Sequence, residues 1–142
     1  MTVGLPVPKV PIPTEKETER AVKDLYRKLG LKVWSLSQGY RPGAQGGGHA
    51  TTRQTKGIAD LFVTGRGKVA WHEVKRPGRI RPAQLKKQED QRFFEEAVVA
   101  CGMPYAFGGV GAAMLALRDV WGIGVQPIIQ EPDRLTLPHE GD

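Results

Sequence analysis

Asp60, Glu73 and Lys75 are of the types and spacing that can handle a divalent cation and an attacking water. Glu73 and Lys75 stand two residues apart at the end of the apolar run from Val69 to Val74. Strand pleating turns both to one face and Val74 to the other. Asp60 lies within a second apolar run, Ile58 to Thr64, joined to the first by Gly65-Arg66-Gly67-Lys68. A hairpin through that turn brings Asp60 alongside Glu73. Two carboxylates converging with an ammonium suit a hard cation, most simply Mg²⁺ that keeps part of its water. Such an ion polarises a phosphodiester oxygen and lowers the pKa of a bound water, while the lysine orients that water and offsets developing charge. An arbitrary carboxylate pair is more often a bend cap beside a solvated ion pair. Here Leu61, Phe62, Val63, Val69, Ala70 and Trp71 make both strands read as buried, where an ionised group is costly unless paired or metal-bound.

The elements that must position these side chains follow from the flanking pattern. Residues 1–13 alternate proline with apolar residues and read as an extended N-terminal arm. Thr14 with Glu17 forms a capping-box pattern, and Ala21, Val22, Leu25, Tyr26 and Leu29 recur at helical spacing before Gly30. Leu31 to Leu36 alternates as a half-buried strand does. Residues 38–56 form a long Gly-rich polar loop, and loops of that length in a compact domain are usually functional or mobile. After the hairpin comes a basic turn, Arg76 to Pro82, and a helix from Pro82 to Cys101 that Gly102 ends. A short strand over 104–107 and an amphipathic helix over 110–121 follow. Trp34, Trp71 and Phe94 read as core, and Cys101 as a packing residue. Residues 14–125 thus form one α/β domain, a mixed central sheet flanked by helices, and 126–142 a polar, loosely ordered tail.

The 142 residues suffice for one domain with its own core, and 39% hydrophobic with 25% charged residues argues against wholesale disorder. No run of about 18 apolar residues is present, no charged segment and apolar stretch resembles a secretory signal, and the single cysteine cannot form an internal bridge. The expected compartment is the cytoplasm, with no membrane partner. The formal net charge of +6 favours a polyanion. Its densest stretch runs from Arg66 through Lys68, Lys75, Arg76, Arg79, Arg81, Lys86 and Lys87 to Arg92, opposed only by Glu73, Glu89 and Asp90. Arg76, Arg79, Arg81, Lys86 and Lys87 are candidates to grip phosphates beside the site, and Arg53 in the Gly-rich loop to track nucleic acid. For any single one of them a solvated surface charge is an equal reading. GAQGGG lacks the Lys-Ser/Thr of a phosphate-binding loop, so no nucleotide cofactor is expected. His72 precedes Glu73 and faces away from it, a packed or surface histidine.

An Asp, a hairpin and then Glu-x-Lys resembles the core of the PD-(D/E)xK nuclease superfamily. The surrounding text is similar to its VRR-NUC branch over about residues 14–120: a helix bearing glutamates, KVWSLSQG, a Gly-rich loop, GIADLFV, and WHEVKRPGRIRPAQ leading into a helix. Archaeal and phage Holliday-junction resolvases share the scheme. The resemblance implies a restriction-endonuclease-like fold and Mg²⁺- or Mn²⁺-dependent hydrolysis of DNA. It implies Asp60 and Glu73 as metal ligands with the Val74 carbonyl, Lys75 as the catalytic lysine, and a helix glutamate, Glu19 with Glu15 as the alternative. It further implies a glutamine, Gln84, at the metal site or scissile phosphate, and Gln88 and Gln91 share its helix face. Ala59 stands where the family usually has proline. Stand-alone members act as homodimers on branched DNA, since two sites must cut two strands. The proline arm, or Met114, Leu115, Leu117, Val120 and Trp121, would supply the dimer contact. The rivals are a non-catalytic DNA-binding or assembly module on the same fold, and an enzyme acting on a small phosphorylated substrate.

Overall fold

The computed structural model describes residues 12–36, 57–78 and 85–139, with side chains from 88 onward in the last stretch. Helix α1, Glu15–Lys28, starts where the Thr14 hydroxyl accepts the Glu17 N–H and Glu17 reaches back to the Thr14 N–H, both at 3.1 Å. Glu15 and Glu17 in its first turn and Arg27 and Lys28 in its last complement the helix dipole. Its buried stripe is Thr18, Val22 and Tyr26, one residue per turn, and Gly30 ends it at φ 85°.

Strands β1 (Lys32–Ser35), β2 (Leu61–Gly65) and β3 (Lys68–Val74) form an antiparallel meander. The β2–β3 turn needs left-handed backbone at both central residues, Arg66 at φ 51° and Gly67 at φ 74°. Trp121 fastens that turn from below, its indole N–H donating to the Gly65 carbonyl at 2.9 Å. Helix α2, Leu85–Ala100, crosses over to β4 (Tyr105–Gly108), which runs parallel to β3. Helix α3, Val110–Asp119, follows at once, and β5 (Arg134–Thr136) closes the far edge against β4. The sheet is five-stranded and mixed, in the order β1-β2-β3-β4-β5.

Two cores lie on opposite faces of this sheet. Leu61, Val63, Ala70, Val74 and Ala106 meet Val22, Tyr26, Ala112, Ala113, Ala116 and Leu117 from α1 and α3. On the other face Ala59, Tyr105 and Phe107 meet Val98, with Trp71, Phe94 and Val99 packed around them. The result is a three-layer α/β arrangement. Among the described residues no helix is long and apolar enough to cross a membrane.

Four expectations change. The stretch expected to be a loose tail adds β5, because Arg134, Leu135 and Thr136 pair with Phe107, Ala106 and Tyr105. It is fastened by Asp133, whose carboxylate accepts the Gly109 N–H at 2.8 Å and the Gln130 N–H at 2.9 Å, supplying the cap that Gly109 lacks at the start of α3. Trp34, read as core, is 53% exposed, since it lies on the edge strand. Cys101 is exposed. Leu115, Leu117, Val120 and Trp121, offered as a dimer contact, are buried in the chain's own core, where α3 packs on α1 and the sheet. The arm over 1–11 and the Gly-rich loop over 38–56 lie outside the described residues.

Candidate active site

The pairing register creates the site. Leu61 is opposite His72, so the preceding Asp60 falls against Glu73 on the same face of the sheet. The Leu36 N–H donates to the Asp60 carbonyl at 2.8 Å and fixes the strand entrance. The Asp60 carboxylate takes over from the ladder: its Oδ2 accepts the Val74 N–H at 2.9 Å. Asp60 therefore bridges β2 to the end of β3 at Val74.

Glu73 is 3% exposed. One carboxylate oxygen, Oε2, accepts the Gln91 amide of α2 at 2.8 Å. The other, Oε1, is buried with no hydrogen-bond partner, as is Oε1 of Gln91. Burial first, then a carboxyl–carboxyl hydrogen bond with Asp60 and the Asp60 charge, push the Glu73 carboxyl well above its usual range, while Lys75 pulls it back. Two ionised carboxylates cannot satisfy each other, so this pair takes up either a shared proton or a cation.

Lys75 leaves the end of β3 with its N–H on the Gly108 carbonyl at 3.0 Å. Its Nζ lies 5.9 Å from the centroid of the Phe107 ring, and Phe107 is the cross-strand partner of Glu73. The other side of the site is ordered by β5: Arg134 stacks 4.5 Å from the Phe107 centroid and holds Glu95 with two bonds of 2.6 and 2.9 Å. Gln88, Gln91, Arg92, Glu95, Phe107 and Arg134 line an adjoining cavity of about 340 Å³.

Asp60, Glu73 and Lys75 are thus brought together. Of the two helix glutamates, Glu15 is the one whose charge acts on Glu73, whereas the Glu19 carboxylate pairs with Lys23 at 3.5 Å. Among the glutamines Gln91 makes the contact, Gln88 lines the adjoining cavity, and Gln84 lies outside the described residues. Arg76 is exposed; Arg53, Arg79 and Arg81, and the side chains of Lys86 and Lys87, also lie outside the described residues.

His72 is fully buried on the opposite face, as the alternation predicts. Its Nδ1 faces the Tyr26 hydroxyl at 2.7 Å and its Nε2 the Gly108 carbonyl at 2.9 Å. Tyr26 donates to Nδ1, Nε2–H donates to Gly108, and burial keeps the ring neutral, its pKa lowered to about 4. The same Gly108 carbonyl receives the Lys75 N–H, so His72 and Tyr26 anchor the strand ends that carry the site. Arg134 and Phe107 were not legible as site residues, since only the β4–β5 pairing brings Arg134 there.

The residues fit a hard cation on chemical grounds: a buried carboxylate oxygen without a donor and a second carboxylate opposite it, both hard oxygen donors. Among the described residues no group of three His, Cys, Asp or Glu side chains is arranged to hold a metal, so a backbone carbonyl and waters would complete the shell. No family model matches the chain, and neither the curated proteins nor the solved structures searched contain a match.

Proposed function

We propose that this chain is a metal-dependent endodeoxyribonuclease of the restriction-endonuclease-like kind, acting in the cytoplasm as a homodimer on branched DNA such as a four-way junction. The observation that carries the reading is the buried Glu73 oxygen without a donor, set against Asp60 and beside Lys75. Phosphodiester hydrolysis needs a cation and a positive group at one place, and a carboxylate pair with an adjacent lysine supplies the side chains for both.

Asp60 and Glu73, with the Val74 carbonyl, would hold Mg²⁺ or Mn²⁺, which supplies Lewis-acid activation of the phosphate and acidification of a bound water. The protein's own part is positioning. The Val74 N–H fixes the Asp60 carboxylate, and the Gln91 amide fixes one Glu73 oxygen and leaves the other available. Lys75, set against the Phe107 ring, presents an ammonium to the attacking water and to the charge that builds on the phosphate. The surplus of positive charge holds the DNA backbone.

The test is a cleavage assay on four-way, flap and plain duplex DNA with Mg²⁺, Mn²⁺ or EDTA. The reading requires metal-dependent nicking, strongest on the junction. Binding without any cleavage in either metal would overturn it in favour of a non-catalytic DNA-binding module.

A further inference from the structure

The sheet face that bears Asp60 and Glu73 also bears a row of aromatic rings. Trp34 is opposite Phe62, Phe62 opposite Trp71, and Trp71 opposite Tyr105 across four neighbouring strands, all on the side of α2. At the inner end α2 covers the row, with Phe94 4.9 Å from the Trp71 centroid and 6.3 Å from that of Tyr105. Phe62 lies on Trp71 at 4.4 Å. At the outer end Trp34 is open to solvent over half its surface, although burial of so large a ring is strongly favourable.

This exposed ring is held rather than loose. Its indole N–H donates to the Thr64 hydroxyl at 3.1 Å, across the β1–β2 pair. Lys32, two residues earlier on the same face and opposite Thr64, is exposed beside it. Asp60 precedes Phe62 by two residues, a spacing of about 7 Å along an extended strand. The aromatic row therefore borders the carboxylate pair and has a cation at its outer edge.

We propose that Trp34, in register beside Phe62 and Trp71 on the sheet face, is a stacking platform for an unpaired nucleobase of a strand whose backbone passes Lys32 toward the Asp60–Glu73 site. The proposal rests on the endonuclease reading and narrows its substrate to DNA with single-stranded character next to the cut. In a duplex both faces of each base are occupied by neighbours, whereas an unpaired base offers a free π-face to an indole. The net charge of +6 and the position of Lys32 match a phosphate backbone.

The experiment is fluorescence anisotropy in EDTA, so that nothing is cut, with a short oligothymidylate and a duplex as probes at several salt concentrations. Trp34→Ala is expected to weaken oligothymidylate binding about tenfold, with duplex affinity and salt slope unchanged, and Trp34→Phe to restore most of the loss. Lys32→Ala is expected to reduce the salt slope by about 0.7, one phosphate contact on a single strand. Oligothymidylate binding by Trp34→Ala equal to that of the wild type, with duplex binding intact, overturns the platform and leaves the endonuclease reading standing. Failure of the wild type to bind either probe overturns both. Sedimentation that shows Trp34→Ala splitting a dimer, with oligothymidylate affinity unchanged, assigns the ring to a second copy of the chain and also overturns the platform.

Discussion

The Gln91 amide donates to one oxygen of Glu73 at 2.8 Å, and the other oxygen of that carboxylate is buried without a donor. Helix α2 thus holds Glu73 in one orientation from the layer packed on its face of the sheet. Gln91→Ala removes that restraint and should lower divalent-cation affinity and cleavage by roughly 10–100-fold, the range for a partner that orients a metal ligand. Gln88→Ala should leave both close to wild type. Isothermal titration with Mn²⁺ and a nicking assay on the same preparations check the pair.

Asp60 serves both strand and site, because its Oδ2 accepts the Val74 N–H. Asp60→Asn retains an acceptor for that bond and removes the charge. Folding should survive, as a cooperative thermal transition, while cleavage falls by more than the ~10–100-fold of an outer partner. A loss of cleavage that merely tracks a loss of folded protein would contradict this division of roles.

Glu73 and His72 give the metal-free protein a pH dependence with two opposite limbs. Burial and Asp60 raise the Glu73 carboxyl above its unfolded value of 4.5, so the native state binds more protons and stability declines as pH rises above that value. Burial lowers His72 from 6.5 to about 4, so the unfolded state binds more protons and stability declines as pH falls from 6.5 toward 4. Mg²⁺ displaces the proton on Glu73, so its stabilising effect should be larger at pH 8 than at pH 5. Thermal melts across that range, with and without Mg²⁺, measure both limbs. Asp60→Asn should make the Glu73 limb shallower without abolishing it, since burial is the larger cause.

Tyr26 donates to a fully buried His72 at 2.7 Å. Tyr26→Phe leaves Nδ1 without a partner and should cost about 1–3 kcal/mol by denaturant unfolding. Because His72 also holds the Gly108 carbonyl that receives the Lys75 N–H, the same variant should lower cleavage with little change in DNA affinity.

Much of this arrangement was legible before the fold was known. The capping box at Thr14, the hairpin around Gly67 and the alternation through Glu73 and Lys75 are local signals, and local backbone geometry obeys them. Hence the sequence order of helices and strands up to α3, and the meeting of Asp60 with Glu73, could be read off the chain. What escaped depends on distant partners. β5 spans three residues between prolines and becomes a strand only because β4 offers a free edge. The choice between Glu15 and Glu19 turns on how α1 lies over the sheet, which helical periodicity does not specify. Trp34 has the composition of a core residue, but an edge strand beyond the reach of α2 leaves it exposed.

Crystals soaked in Mn²⁺ and measured at an anomalous wavelength put the carboxylate pair to the sharpest trial. A single strong peak between the Asp60 and Glu73 carboxylates, within bonding distance of the Val74 carbonyl and absent from Asp60→Asn crystals, is the expected result. A site left empty at concentrations that support cleavage, or a peak that persists without Asp60, would show that the catalytic cation is held elsewhere.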